Sequence, residues 1–105
     1  MGFAHLRFVM GIGETLKSRR SEILALATKY GASNVRVFGS VVRGEASPDS
    51  DVDLLVSMEK GRSYFDLVGL WYDLEELLGR KVDVVTDGGL SPYLKDRILG
   101  EAIPL

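Results

Sequence analysis

A chain of 105 residues, with 46% hydrophobic and 27% charged residues, has the length and balance of one soluble globular domain with a single core. A net charge of −2 argues against a strong nonspecific grip on nucleic acid, which depends on phosphate neutralisation by Lys and Arg, and leaves room only for a local basic patch. The absence of cysteine excludes disulfides and thiolate chemistry and fits a cytoplasmic location, no apolar run reaches the ~20 residues of a membrane-spanning helix, and the opening MGFAHLRFVMGIG is too short and too broken by polar residues for a signal peptide.

Met1 to Gly13 shows no period and reads as a flexible segment before a single domain over residues 14–105; its first nine residues read as dispensable, with Met10 as a second candidate start. From Glu14 to Tyr30 the pattern is helical. Leu16, Ile23, Leu26, Ala27 and Tyr30 fall near one face, and Lys17, Arg19, Arg20 and Glu22 lie elsewhere. Gly31 is placed to end that helix. Asn34 to Phe38 (NVRVF) predicts a strand with Val35 and Val37 on one face. A short helix starts at Ser40, and Glu45 to Ser50 (EASPDS) is a loop of turn residues. Val52 to Met58 is the second strand, followed by a turn at Lys60-Gly61. Ser63 caps a second long helix, with Asp66 placed to return the bond; Phe65, Val68, Trp71, Leu74 and Leu78 supply its inner face, and Gly79 ends it. Lys81 to Thr86 (KVDVVT) is the third strand, and Asp87-Gly88-Gly89 a loop. Ser91 caps a last helix with Pro92 at its first position, and Leu94, Ile98 and Leu99 face inward. This order predicts an α/β (α+β) domain. A small mixed sheet of three or four strands packs against helices on one face and leaves the other partly open.

The most informative stretch is Gly39 to Leu54, GSVVRGEASPDSDVDL. Asp51 and Asp53 stand at i and i+2, so on a strand their side chains share a face. Adjacent carboxylates repel unless a cation or proton offsets the repulsion. Hard oxygen donors of this kind suit Mg²⁺, with Mn²⁺ as the alternative, completed by substrate phosphates. Asp83 is a third acid inside an otherwise apolar strand, where an aspartate is costly to bury. If that strand neighbours the second, Asp83 joins Asp51 and Asp53, and three carboxylates can hold two divalent ions roughly 3.5–4 Å apart. Gly39 lets a phosphate approach the backbone, and Ser40 presents its N–H and hydroxyl to phosphate oxygens. Arg43 offers a planar donor fork to a triphosphate, and Gly44 permits the tight exit into the loop.

The string GSxxRGxxxxxSDxDL, with a later acid on a strand, resembles the DNA polymerase β nucleotidyltransferase superfamily. The small size and the stretches LALATKYGASNVRVFGS and GRKVDVVTDGGLSPYLKDRIL are similar to its minimal nucleotidyltransferases, over about residues 14–105. The resemblance implies a polymerase-β-like palm, Mg²⁺, and transfer of a nucleoside monophosphate from an NTP to a hydroxyl. It assigns phosphate binding to Gly39 and Ser40, and metal binding and catalysis to Asp51, Asp53 and Asp83. It also implies an antitoxin role toward a helical HEPN-type ribonuclease toxin, with AMP from ATP added to a toxin tyrosine. The chain departs from many relatives in carrying Val42 for Ala, and it has no second domain to hold the base or the acceptor. The NTP preference and the oligomeric state stay open.

Plainer readings stand beside these. Asp51-x-Asp53 alone could be a solvated strand mouth, Asp83 an edge residue reaching water, and Arg43 a structural ion pair. Asp49, Ser50 and Asp87 read as turn formers, Phe65 and Trp71 as core or interface, His5 as solvated, and Lys17, Arg19 and Arg20 as a wet helix face. Three functions compete: a nucleotidyltransferase antitoxin, an antitoxin that neutralises by binding alone, and a small-molecule nucleotidyltransferase. The missing second domain argues against the last.

Overall fold

The structure, a computed structural model, describes residues 12–47 and 49–105. The flexible segment expected at the N-terminus lies, through residue 11, outside the described residues, as do His5 and Pro48. Ile12 and Gly13, expected to belong to that segment, instead open the first helix.

Two helices, α1 (Ile12–Ser18) and α2 (Arg20–Lys29), replace the single one expected over 14–30. The interruption falls in Lys17-Ser18-Arg19-Arg20-Ser21, a run with no apolar anchor. There the Ser18 hydroxyl donates to Thr15 O at 2.9 Å and competes for the carbonyl that also accepts from Arg19 N–H at 3.0 Å. Leu16, Ile23 and Ala27 are buried as their spacing predicts.

Strand β1 (Ala32–Phe38) runs antiparallel to β2 (Val52–Met58), and β2 runs parallel to β3 (Val82–Thr86). Helix α3 (Ser40–Arg43) lies between β1 and β2 in sequence, and α4 (Tyr64–Leu78) supplies the crossover that parallel neighbours need. The last helix, α5 (Pro92–Glu101), leads into β4 (Ile103–Pro104), which pairs antiparallel with β1. The sheet is four-stranded, in the order β3-β2-β1-β4. The two-residue β4 was not anticipated; its Pro104 fits only the edge position it takes.

Alternation along β2 sorts the two faces. Val52, Leu54 and Val56 join Val35, Val37, Val82 and Val84 against α1, α2 and α4. Leu55 points the other way, to Phe38 and to Ile98 of α5, with Val85, Leu90 and Ala102 around them. Helices therefore pack on both faces, which corrects the expectation of one covered face. Among the described residues, α5 is the helix that packs on the second face. No described helix is long and apolar enough to cross a membrane.

The expected apolar faces hold in part: Trp71, Leu74 and Leu78 of α4 and Ile98 of α5 pack inward, and Phe65, Val68, Leu94 and Leu99 do not. On α4 the buried side chains are Leu70 and Leu74, supported by Leu67, Trp71, Leu77 and Leu78; Phe65 is 84% exposed and Val68 43%. The segment carries two apolar stripes, and packing selects the one richer in leucine. On α5 only Ile98 is buried, while Leu94 and Leu99 remain substantially exposed. The caps are as expected: Asp66 accepts from Ser63 N–H at 3.0 Å in a capping box, and Ser91 Oγ accepts from Tyr93 N–H at 3.3 Å.

Candidate active site

The site forms where β1 ends, β2 begins and α5 crosses above them. Register pairs Phe38 with Asp53 across the antiparallel strands and Asp53 with Asp83 across the parallel ones. Asp53 and Asp83 thus lie side by side on adjacent strands. Asp51 lies one residue before β2, exposed at the strand mouth rather than on the strand itself. Ser57 continues the Asp53 face. It donates to Asp87, which also accepts from Arg36 Nη2 at 3.3 Å. Asp87 is therefore an ion-pair partner as well as a turn former, and the Ser57 hydroxyl, then Arg36, holds its pKa below the usual carboxylate value.

Gly39 turns the chain out of β1 with φ +80°, a conformation that L side chains rarely adopt. A Cβ there would lie 2.1 Å from Asp53 Oδ2, so the turn and the carboxylate are in direct apposition. The close approach at Gly39 is to Asp53. Its amide donates to Glu101 Oε1 at 2.8 Å and is already engaged within the fold. Among the described residues, the Ser40 hydroxyl and amide N–H make no hydrogen bond. Arg43 donates through Nε to Glu45 Oε1 at 2.9 Å and through Nη1 to Glu101 Oε1 at 2.7 Å. Gly44 caps α3 in the left-handed region, as the tight exit requires.

A cavity of about 190 Å³ opens here, lined by Phe38, Gly39, Arg43, Asp53, Arg97 and Glu101 among others. Burial, then the charges of Asp83 and Asp51, push the Asp53 pKa up from the ordinary carboxylate value; Arg43 opposes and Glu101 adds to the shift. Asp83 and Asp51 are close enough to Asp53 to repel it, but among the described residues no three His, Cys, Asp or Glu side chains converge to hold a metal ion, so the expected three-carboxylate cluster is not assembled as such. An open set of one or two carboxylates fits Mg²⁺, which keeps waters and takes substrate phosphates as further ligands.

Glu45, Glu101 and Arg97 were not singled out in the sequence. Glu101 did leave one signal: it stands in the last turn of a helix, where a negative charge opposes the helix dipole and needs a compensating partner.

The family profile described as a nucleotidyltransferase domain matches residues 20–105. A Methanocaldococcus jannaschii protein, provisionally named a protein adenylyltransferase, is 45% identical over 84 residues, covering 80% of this chain and 90% of its own length. The Thermococcus cleftensis protein adenylyltransferase MntA is 41% identical over 78 residues, 74% of this chain and 79% of that one. A solved structure provisionally described as a minimal nucleotidyltransferase superposes with a TM-score of 0.80 at 54% identity, over 88% of this chain and 94% of that one. A toxin–antitoxin crystal structure with AMP-PNP reaches a TM-score of 0.69 at 21% identity, over 80% of this chain and 69% of that one, a likeness of fold alone. The matched stretch runs from α2 through the Gly39 turn and all of the aspartates to β4, and on that ground the chain belongs to the nucleotidyltransferase domain family, with its polymerase-β-like fold.

Proposed function

We propose that this chain is a Mg²⁺-dependent protein adenylyltransferase that moves AMP from ATP to a tyrosine hydroxyl of a helical HEPN-type toxin, and so acts as the antitoxin. The observation that carries this reading is Asp53 set directly against the Gly39 turn, with Asp83 beside it on the neighbouring strand. The names of the relatives support AMP as the group moved and a protein as the acceptor. The toxin–antitoxin fold neighbours support the kind of partner. ATP as the donor makes the cytoplasm the site of action.

In this reading Ser40 and the free edge of Arg43 bind the triphosphate, Asp51 and Asp53 would hold a divalent ion, and Asp83 would hold a second. Bound Mg²⁺ would neutralise phosphate charge and make the acceptor hydroxyl easier to deprotonate. The acceptor oxygen bonds to the α-phosphorus, the bond from that phosphorus to the β-phosphate oxygen breaks, and pyrophosphate leaves. The acceptor proton passes to the carboxylate cluster and then to water. Asp83 lies on the edge strand β3, while Ser40 follows β1 on the opposite side of β2. In this reading acceptor and nucleotide reach Asp53 from opposite sides, and the partner supplies the acceptor wall.

Neutralisation by binding alone is the competing reading. It is favoured by the engagement of Arg43 with both Glu45 and Glu101, which offsets its charge before any phosphate arrives. Intact-mass measurement of both chains after incubation with ATP and Mg²⁺ separates the two. The proposal expects one AMP on the toxin, absent with Asp53→Asn. An unmodified toxin that is nonetheless inhibited would establish binding alone. AMP on this chain's own exposed Tyr64, Tyr72 or Tyr93 would redirect the acceptor assignment.

A further inference from the structure

We infer that Glu101 is a positioning residue for the nucleotide: one of its carboxylate oxygens fixes both the Gly39 amide and the Arg43 guanidinium beside Asp53. The inference rests on the nucleotidyltransferase reading above and assigns a task to a residue at the far end of the chain.

The Gly39 amide needs a partner. Strand β1 ends at Phe38, and Gly39 beyond it is buried. A buried N–H left unpaired is costly, and Glu101 Oε1 accepts it at 2.8 Å. The same oxygen accepts from Arg43 Nη1 at 2.7 Å, and the Glu101 side chain is only 15% exposed. These bonds offset the unfavourable place of a carboxylate in the last turn of α5.

Glu101 is itself held in place. Directly after it, Ile103 and Pro104 pair with Val37 and Arg36 of the strand that leads into Gly39. The end of α5 is therefore registered to the turn through backbone as well as side chain.

Arg43 gains most from this. It stands on a four-residue helix, which by itself fixes a long side chain poorly. Glu45 and Glu101 take two positions of its planar fork, Nε and Nη1. Among the described residues Nη2 makes no hydrogen bond, so the fork is oriented with one donor group left for a phosphate oxygen. Glu101 thus sets the geometry, while Ser40 and Arg43 Nη2 make the contacts.

Calorimetric titration with AMP-PNP and Mg²⁺ tests this, with Glu101→Gln as the main variant. Glutamine keeps the shape and an acceptor for Gly39 but loses the charge that holds Arg43. Its melting temperature should stay near that of the parent chain. Its affinity for AMP-PNP should fall roughly ten- to a hundredfold, the scale on which misplacing a supporting group acts. Added to Arg43→Ala, the same change should cost little more, because the shared path is already lost. Glu101→Ala should also speed hydrogen exchange at the Gly39 amide; should that variant fail to fold, Glu101→Gln decides alone. Unchanged affinity in Glu101→Gln, or losses that add fully with Arg43→Ala, would overturn the inference. Tighter binding would overturn it too, by showing that Glu101 competes with phosphate for Arg43. A parent chain that binds no AMP-PNP would overturn the nucleotide reading itself, a result distinct from binding that ignores Glu101.

Discussion

Asp53 is held in a place that opposes its charge. Burial and the neighbouring Asp83 and Asp51 raise its pKa, so the folded state binds its proton more tightly than the unfolded state does. Its ionisation therefore costs stability as pH rises through the raised pKa, and the cost vanishes in acid. Asp53→Asn should abolish transfer and raise the metal-free melting temperature at neutral pH, with the gain disappearing below about pH 4. A fall in melting temperature at neutral pH would show that the carboxylates are not in conflict. Asp87 has the opposite sign, because Ser57 and Arg36 lower its pKa. Asp87→Asn should lower the neutral-pH melting temperature, and that deficit should close as pH falls through the depressed pKa; parallel thermal melts across pH check both. Ser40→Ala removes one hydroxyl and should weaken AMP-PNP binding roughly ten- to a hundredfold, the worth of a hydrogen bond to a charged group, as calorimetry would show. Asp53 and Asp83 were legible in the sequence, because acids at strand positions among valines stand out against the alternation. Glu101 was not, because its partner Arg43 lies 58 residues away and no local spacing joins them.

Elements were legible to the extent that one pattern dominated each. Strand β2 matched its predicted bounds of Val52–Met58, since its apolar run is closed by turn residues on both sides. The parallel β2–β3 pairing that joins Asp53 to Asp83 follows from the long helix between those strands. Helix α4 keeps Trp71, Leu74 and Leu78 on its inner face as expected, while Phe65 and Val68 give way to Leu67 and Leu70, because both sets have helical spacing. The difference is measurable by denaturant unfolding. Leu70→Ala, at a side chain with no exposure, should cost about 2–5 kcal/mol, while Phe65→Ala should change stability by less than ~0.5 kcal/mol. Equal losses at the two positions would contradict the observed face. The split of α1 from α2 and the two-residue β4 were not legible. A serine back-bonding into a helix and an edge strand that pairs only through β1 leave almost no periodic trace.

At the scale of the whole molecule, one sheet serves two purposes. The face toward α1, α2 and α4 supplies the main core, and the face toward α5 carries the acids and the smaller cluster around Phe38, Leu55 and Ile98. On that face Asp83 lies on the edge strand β3, while Glu101 bridges the turn at the other side of Asp53. This asymmetry is the reason for assigning the acceptor to a second protein. If the proposed function holds, the aspartates and the Gly39–Ser40 turn together bind a metal–nucleotide complex. A crystal structure of the chain with AMP-PNP and Mn²⁺, with the ions located by anomalous scattering, tests it most directly. The account predicts anomalous peaks beside Asp51 and Asp53, with triphosphate oxygens on Ser40 and Arg43. Nucleotide bound elsewhere, or manganese away from these carboxylates, would contradict it.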